Sequence, residues 1–474
     1  MELPQSPTLP LSNVQTAPSR LWTAGVIVAV SLGFVMAMLD VTVVNVALGD
    51  IQKEFRTSLS TLVWTIDAYT LTFAALLLFG GALADRVGAK RAYMFGLLWF
   101  VVASGLCGAA QSGPALIYAR LFQGVGAALF MPSSLSLLTQ SFPDPVVRTR
   151  LLGLWGAIVA AAAGSGPLVG GILVSEFGWR SIFHLNLPIG IVGIVLTALV
   201  LKPSPLRHHP FDILTHALIM TALAGLSYAL IEGPALGWLS VRIIAAALIA
   251  VVAGATVFLR ERVARVAGHP VIPHVLAYNG RFWVLNLMGF AINFVLFGEI
   301  FVISMFLQRA RGASAFATGL HMLPMMCMLS IMNLFSGFLC VRWGIRKVIL
   351  IGILATAAGC LLTAIFGNDS SIWPLTLSVA LCNAGLGLAI PAMINGVMHE
   401  AGGNDANVGA ATLNANRQIG ALAGVAATGI VLHLSTNWSV TLGFVFIGFA
   451  ACLLTSLFFV RRVLGAAGAS ARAC

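Results

Sequence analysis

Charge is scarce in this chain: only 9% of its 474 residues are Asp, Glu, Lys or Arg, and the acids number 15. A soluble domain carries about 25%, so this composition cannot build an ordinary water-facing surface. Cysteine is sparse too. The seven Cys include no CxxC pair, and most lie inside apolar runs (Cys107, Cys327, Cys360, Cys382, Cys452). That excludes a disulfide framework or zinc module and leaves small packing residues. No HExxH, nucleophile elbow or GxxxxGK[ST] run is present, which argues against a hydrolase, a zinc enzyme or direct use of ATP. No long polar stretch separates the apolar runs, so a receptor or scaffold with a sizeable soluble domain is excluded, and no continuous polar lining suggests a channel. The net charge of +11 is dispersed in short basic clusters, the pattern of membrane-flanking loops and not of a nucleic-acid groove.

Hydrophobicity takes the place of charge. Apolar residues make up 59% of the chain and mean hydropathy is +0.98. Segments long enough to cross a bilayer fall near 22–48, 60–82, 92–110, 115–139, 150–174, 179–201, 212–231, 239–259, 282–307, 316–339, 346–366, 372–398, 407–433 and 439–460. The expectation is an all-α polytopic membrane protein with fourteen transmembrane helices and both ends on one side. Most Lys and Arg fall on the side of the termini, including Arg86, Lys90, Arg91, Arg260, Arg262, Arg265, Arg342, Arg346, Lys347, Arg461 and Arg462. The positive-inside rule makes that side cytoplasmic. Residues 1–21 and 463–474 read as cytoplasmic tails. Every Trp but Trp99 lies near a span end, as an interfacial belt requires.

An internal echo divides the chain. GALADRVGAKR (81–91) and GFLCVRWGIRK (337–347) align at Gly81/Gly337, Leu83/Leu339, Arg86/Arg342 and Gly88/Gly344. Each follows the second span of a six-span block, so 22–201 and 281–462 read as pseudo-repeats and 202–280 as two inserted spans. Val341 stands opposite Asp85, so the halves are not equal.

The rare intramembrane charges are the candidate functional residues. An Asp at mid-bilayer costs about 2.5–3.5 kcal/mol on insertion scales. At a rise of about 1.5 Å per residue, Asp40, Asp67, Glu299 and Arg120 all fall roughly 8–12 Å below the boundary opposite the termini. Charges at one depth can meet across a shared cavity, and three acids against two bases (Arg120, Arg417) leave one acid without a fixed partner. Asp40 shares its helix face with small residues, which suits close packing or a narrow cavity. It is read either as a proton-coupling carboxylate or as half of a static buried pair with Arg120. On the ninth segment Phe290, Phe294, Phe297 and Phe301 form one stripe and Glu299 points the other way; which side looks inward stays open. HMLPMMCMLSIM (321–332) is either an adaptable pocket wall or a lipid-facing stretch. His321 reads as a packed or bonded histidine sooner than as a proton relay. Gln418 accompanies Arg417.

Several stretches together resemble the major facilitator superfamily, specifically its fourteen-span drug:proton antiporters. LDVTVVNVAL (39–48) is similar to the first-helix signature, with Gly49 where Pro is usual. GALADRVGAKR resembles the loop signature between helices 2 and 3, RLFQGVGAA (120–128) that of helix 4, and GSGPLVGG (164–171) the fifth-helix antiporter motif. WTIDAYTLTFAALLL, WRSIFHLNLPIG, IEGPALGW, TGLHMLP and NRQIGALAGVA extend the match along nearly the whole chain. The resemblance implies a secondary transporter that exports small hydrophobic or cationic compounds, with a proton-coupled importer of the same fold as the alternative. It would need protons and lipid but no cofactor and no metal, and would work as a monomer, with or without a periplasmic adaptor. It also implies a cytoplasmic latch at Gly81, Asp85, Arg86, Gly88, Lys90 and Arg91, binding the other half, with Asp85 docked on a helix amino terminus. Gly164, Gly166, Pro167, Gly170 and Gly171 would form an antiporter hinge.

Overall fold

Capping residues set where the helices begin. Ser58, Ser112 and Ser314 each accept a hydrogen bond from the backbone N–H three residues on, and Asn279 accepts from Arg281 and Phe282. Each satisfies an amide that the first helical turn leaves orphaned. The computed structural model describes residues 20–142, 144–204, 206, 213–266, 273–367, 371–435 and 437–465. The two tails lie outside these residues, save their innermost few positions.

Fifteen α-helices and no strand occur among the described residues: α1 (Arg20–Phe55), α2 (Leu59–Val87), α3 (Ala89–Gly108), α4 (Gly113–Ser141), α5 (Pro145–Phe177), the short α6 (Ser181–His184), α7 (Asn186–Val200), α8 (Ile213–Leu236), α9 (Val241–Val266), the short α10 (His274–Ala277), α11 (Gly280–Met305), α12 (Ala315–Trp343), α13 (Ile345–Phe366), α14 (Trp373–Leu434) and α15 (Trp438–Gly465). A π-turn at Phe306–Ala310 extends α11. In α14 Gly402 takes φ 66°, ψ 178°, breaking the helix into two limbs. Fourteen stretches are long and apolar enough to cross a membrane, matching the segments read from the sequence. The face carrying Arg20 and Gly465 is called terminal below, and the opposite face distal.

The repeat is visible in the backbone. Gly88 separates α2 from α3 with φ 91°, ψ 132°, and Gly344 separates α12 from α13 with φ 83°, ψ 148°. Those left-handed angles are why glycine stands at both aligned positions. Helices α1–α7 pack as one half and α11–α15 as the other, while α8 and α9 pair together and α8 lies on α2 and α14.

The halves join at two seams, α5 with α12 and α2 with the second limb of α14. Contacts gather toward the distal face. Ser304 donates to the Asn45 carbonyl at 2.6 Å, Gly49 N–H to Gln308 Oε1 at 2.8 Å, and Arg309 to Gln52 Oε1. Proline at position 49 would have no N–H for this bond. One apolar cluster crosses between the halves there, joining Val44, Leu48 and Val63 to Ile303, Met322 and Val425. A second, around Tyr93, Phe100, Phe130 and Leu138, belongs to the first half alone.

Candidate functional site

The first half folds around Asp40. Arg120 of α4 donates Nη1 to Asp40 Oδ2 at 2.5 Å, and its Nε donates to the Thr65 carbonyl of α2 at 2.9 Å. Gln123, one turn along α4, donates Nε2 to Asp40 Oδ1 at 2.8 Å and accepts from Arg120. Asn186, at the start of α7, donates to Asp40 Oδ1 at 3.2 Å. Ser104 of α3 accepts from both amides. The Tyr69 ring lies 4.6 Å from the guanidinium carbon. Every member from Asp40 to Asn186 is buried. A buried ion pair recovers its desolvation cost only when its remaining lone pairs and protons are also bonded; these neighbours bond both Asp40 oxygens and Arg120 Nε, while Asn186 Oδ1 keeps no partner. Asp40 therefore lies inside a buried polar knot of five helices. Gln123 and Asn186 escaped the sequence reading. Their only signal was an uncharged amide within an apolar run, inside the quoted stretches RLFQGVGAA and WRSIFHLNLPIG.

The charges expected at one level do not share one site. Asp67 is fully buried, and neither carboxylate oxygen has a hydrogen-bond partner. Two residues along α2 from Thr65, it is rotated about 200° from the residue that Arg120 grips. It lies instead among the residues that meet α8 and α14, between Val63, which touches Gly429, and Leu71, which clusters with Leu422. Glu299 sits within the second half. Its Oε2 accepts from the Cys382 thiol at 3.4 Å, Oε1 has no partner, and Cys382 Sγ is 3.6 Å from Cys360 Sγ. The choice between two faces of α11 also dissolves. Glu299 turns to the first limb of α14, while the α11 backbone at Phe290 and Phe294 lies against Gly420 and Gly424 of the second limb and the Phe290, Phe294 and Phe297 side chains are half-buried.

Arg417 is half-buried on the second limb of α14, its Nε unpartnered, with no carboxylate within 4 Å among the described residues. The tally thus becomes one ion pair, two acids without a basic partner and one unpaired base. Gln418 is half-buried beside it. His321 makes no hydrogen bond among the described residues and lines a small pocket with Ile303, Leu307, Met325 and Val379. Met322, Met325 and Met326 are buried, whereas the terminal end of α12 exposes Phe335, Phe338 and Val341.

In α5 the glycines serve two neighbours. A Cβ at Gly166 or Gly170 would strike Thr42 or Val43 of α1, directly beside Asp40. One at Gly164 or Gly171 would meet Ser330 or the Ala315 carbonyl of α12, and Gly319 lets α12 approach the Pro167 carbonyl. Small residues thus allow α5 to lie between the two halves.

The basic loop departs from expectation. Lys90 Nζ donates to the Ala198 and Leu201 carbonyls and its N–H to Ser204, tying α3 to the end of α7 within its own half. A lysine there meets carbonyls that the helix leaves unpaired. Asp85 is half-exposed and caps no helix among the described residues, while Arg86 and Arg91 are exposed. Gly81 faces Pro132 of α4 at ordinary contact distance.

Two pseudo-equivalent helical halves, a paired insertion and mid-span charges turned into the bundle, with Asp40, Asp67, Arg120 and Glu299 all buried, define a multi-pass membrane protein of the transporter class. The family model described as Major Facilitator Superfamily matches residues 30–425 and 285–473, and the chain belongs to that superfamily. It is similar to the methylenomycin A resistance protein of Bacillus subtilis (strain 168), 45% identical over 442 residues that cover 93% of this chain and 94% of that one. The methylenomycin A resistance protein of Streptomyces coelicolor is 44% identical over 429 residues, 90% of each chain. The multidrug resistance protein Stp of Mycobacterium tuberculosis is 34% identical over 408 residues, covering 86% of this chain and 75% of its own.

Proposed function

We propose that this protein is a proton-driven antiporter that exports small hydrophobic or cationic antibiotics by alternating access. Two relatives of matching length are named for resistance to methylenomycin A, which makes that compound the first to test. The observation that carries the proton coupling is Asp67, a carboxylate wholly buried on the seam between the halves with neither oxygen bonded. A permanently charged group in that position would be costly without a partner. A group that takes up a proton when the seam faces one side and yields it on the other makes the position useful.

In this reading the termini are cytoplasmic and the distal face is outside, so the contacts at Asn45, Gly49 and Gln52 close the outer end. Protons from outside load the acids and release the substrate; the halves rock, and deprotonation on the cytoplasmic side restores a negative site. Asp40, held by Arg120 and two amides, orders the first half, and Asp67 with Glu299 carries the exchange. A proton moving inward down 100 mV releases about 2.3 kcal/mol. Exchange of one proton for one monovalent cation moves no net charge, so the pH gradient alone would drive it.

The test is transport in liposomes of purified protein, with methylenomycin A and ethidium as probes and with voltage and pH gradients imposed separately. Wild type is expected to move at least one probe against its gradient, opposite to the proton. Asp67→Asn is expected to retain exchange between equal pools while losing gradient-driven accumulation. Transport indifferent to both gradients ends the antiport reading, and movement with the proton makes the protein an importer.

A further inference from the structure

Along one face of α2, Ser60, Val63, Asp67, Leu71 and Ala74 follow at helical spacing. On the terminal side of Asp67, Leu71, Ala74 and Ala75 pack with Leu223 of α8 and Leu422 of α14 into an apolar cluster. On the distal side the same seam opens as a groove. Ser60 and Val63 of α2, Ile231 and Pro234 of α8, and Ala426, Gly429 and His433 of α14 line it, leaving room for a single water. His433 is exposed at the mouth. One helical turn from the unpartnered Asp67, the groove ends at a close contact between α2 and α14. A Cβ built on Gly429 would lie 2.9 Å from a Val63 methyl, so Val63 already fills the space over that glycine.

We infer that Val63 pressed on Gly429 is the seal of a distal proton path that runs from Ser60 and His433 through the groove to Asp67. The inference rests on the antiport reading and adds a route and a gate to it. Hydroxyl and imidazole at the mouth can each pass a proton through water. Below them the lining turns apolar, and valine, with its stiff χ1, holds a fixed plug where glycine lets the two helices touch. Val63 presses on Gly429 one helical turn from Asp67, and Val425 and Ala426 are buried in the same cluster, so a parting of α2 from α14 at this contact opens the way toward Asp67. The other charged or titratable groups near Asp67 are engaged or distant. Glu232 of α8 accepts from Trp64 Nε1 at 2.8 Å and Tyr228 packs beside Trp64. On α4, Arg120 is held by Asp40, and Arg417 of α14 lies farther toward the terminal face. His433 is thus the titratable group at the mouth.

The experiment measures proton leak without substrate, in liposomes with a trapped pH-sensitive dye and a potassium diffusion potential. Alternating access opens the terminal side of Asp67 in at least one state, so a broken distal seal joins the two solutions through it. Val63→Ala is expected to leak several-fold faster than wild type. Gly429→Ala added to Val63→Ala returns a methyl to the contact and should restore tightness, a rescue that general loosening of the bundle would not show. Asp67→Asn added to Val63→Ala should abolish the leak. A Val63→Ala protein that elutes as a single species and is as tight as wild type overturns the seal; a leak that survives Asp67→Asn overturns the route. Neither outcome depends on the transported compound, so loss of the antiport reading would be seen separately, in the substrate assay.

Discussion

In the first half Asp40 accepts hydrogen bonds from Arg120, Gln123 and Asn186; in the second Glu299 accepts one, from the thiol of Cys382. Both acids are buried at similar depth in helices that the internal repeat relates to one another. Three donors, one of them a guanidinium, bond both carboxylate oxygens of Asp40. Glu299 has the weak thiol donor of Cys382, the Asn383 side chain nearby and no cation beside its bare Oε1, so its charge is far less supported, since burial of a charge is tolerated only with partners. Duplicated architecture has therefore been turned to unlike ends: one half uses a bonded ion pair to hold five helices in register, and the other keeps an acid with far less support.

The comparison breaks most decisively at Arg120. Arg120→Leu strips the ion-pair partner from Asp40 and is expected to cost about 3–5 kcal/mol, read as a fall in thermal midpoint of the detergent-solubilised protein. The double variant with Asp40→Asn should regain part of that loss. If the single variant unfolds like wild type, the knot does not order the first half. A middle-sized effect is expected at Gly166→Ala, whose new methyl would collide with Thr42 beside Asp40. Overpacking of this kind costs about 1–3 kcal/mol, and Thr42→Ala should relieve it in the same measurement. Smallest is Glu299→Gln, which exchanges an acid without a basic partner for a neutral isostere. A change within about 1 kcal/mol in the midpoint is expected; a loss matching that of Arg120→Leu would show that Glu299 is held as firmly as Asp40.

Depth was legible in the sequence and direction was not. Counting residues along the apolar runs located all fourteen spans, because length and hydropathy alone decide what can cross a bilayer. Counting also put Asp40 and Arg120 at one level, and they meet. The same count placed Asp67 and Glu299 at that level, yet they face elsewhere, because the direction of a side chain depends on which helix lies opposite. Asp67 shares α2 with Thr65, whose carbonyl binds Arg120, and is separated from it by a rotation that a linear string does not weigh. Gly49 is a related case. Its departure from the family's proline was readable, but its meaning required Gln308, far along the chain, to arrive beside its N–H. Lys90 was read as reaching across to the other half, and it grips its own half because α7 ends beside α3.

The hydrogen bond from Trp64 to Glu232 fastens the inserted hairpin to α2 of the first half, and α8 drapes over the seam between α2 and α14. Nothing among the described residues drapes the opposite seam, between α5 and α12, in the same way. The molecule therefore presents two unequal flanks to the surrounding acyl chains, one shuttered by a protein flap and one bare.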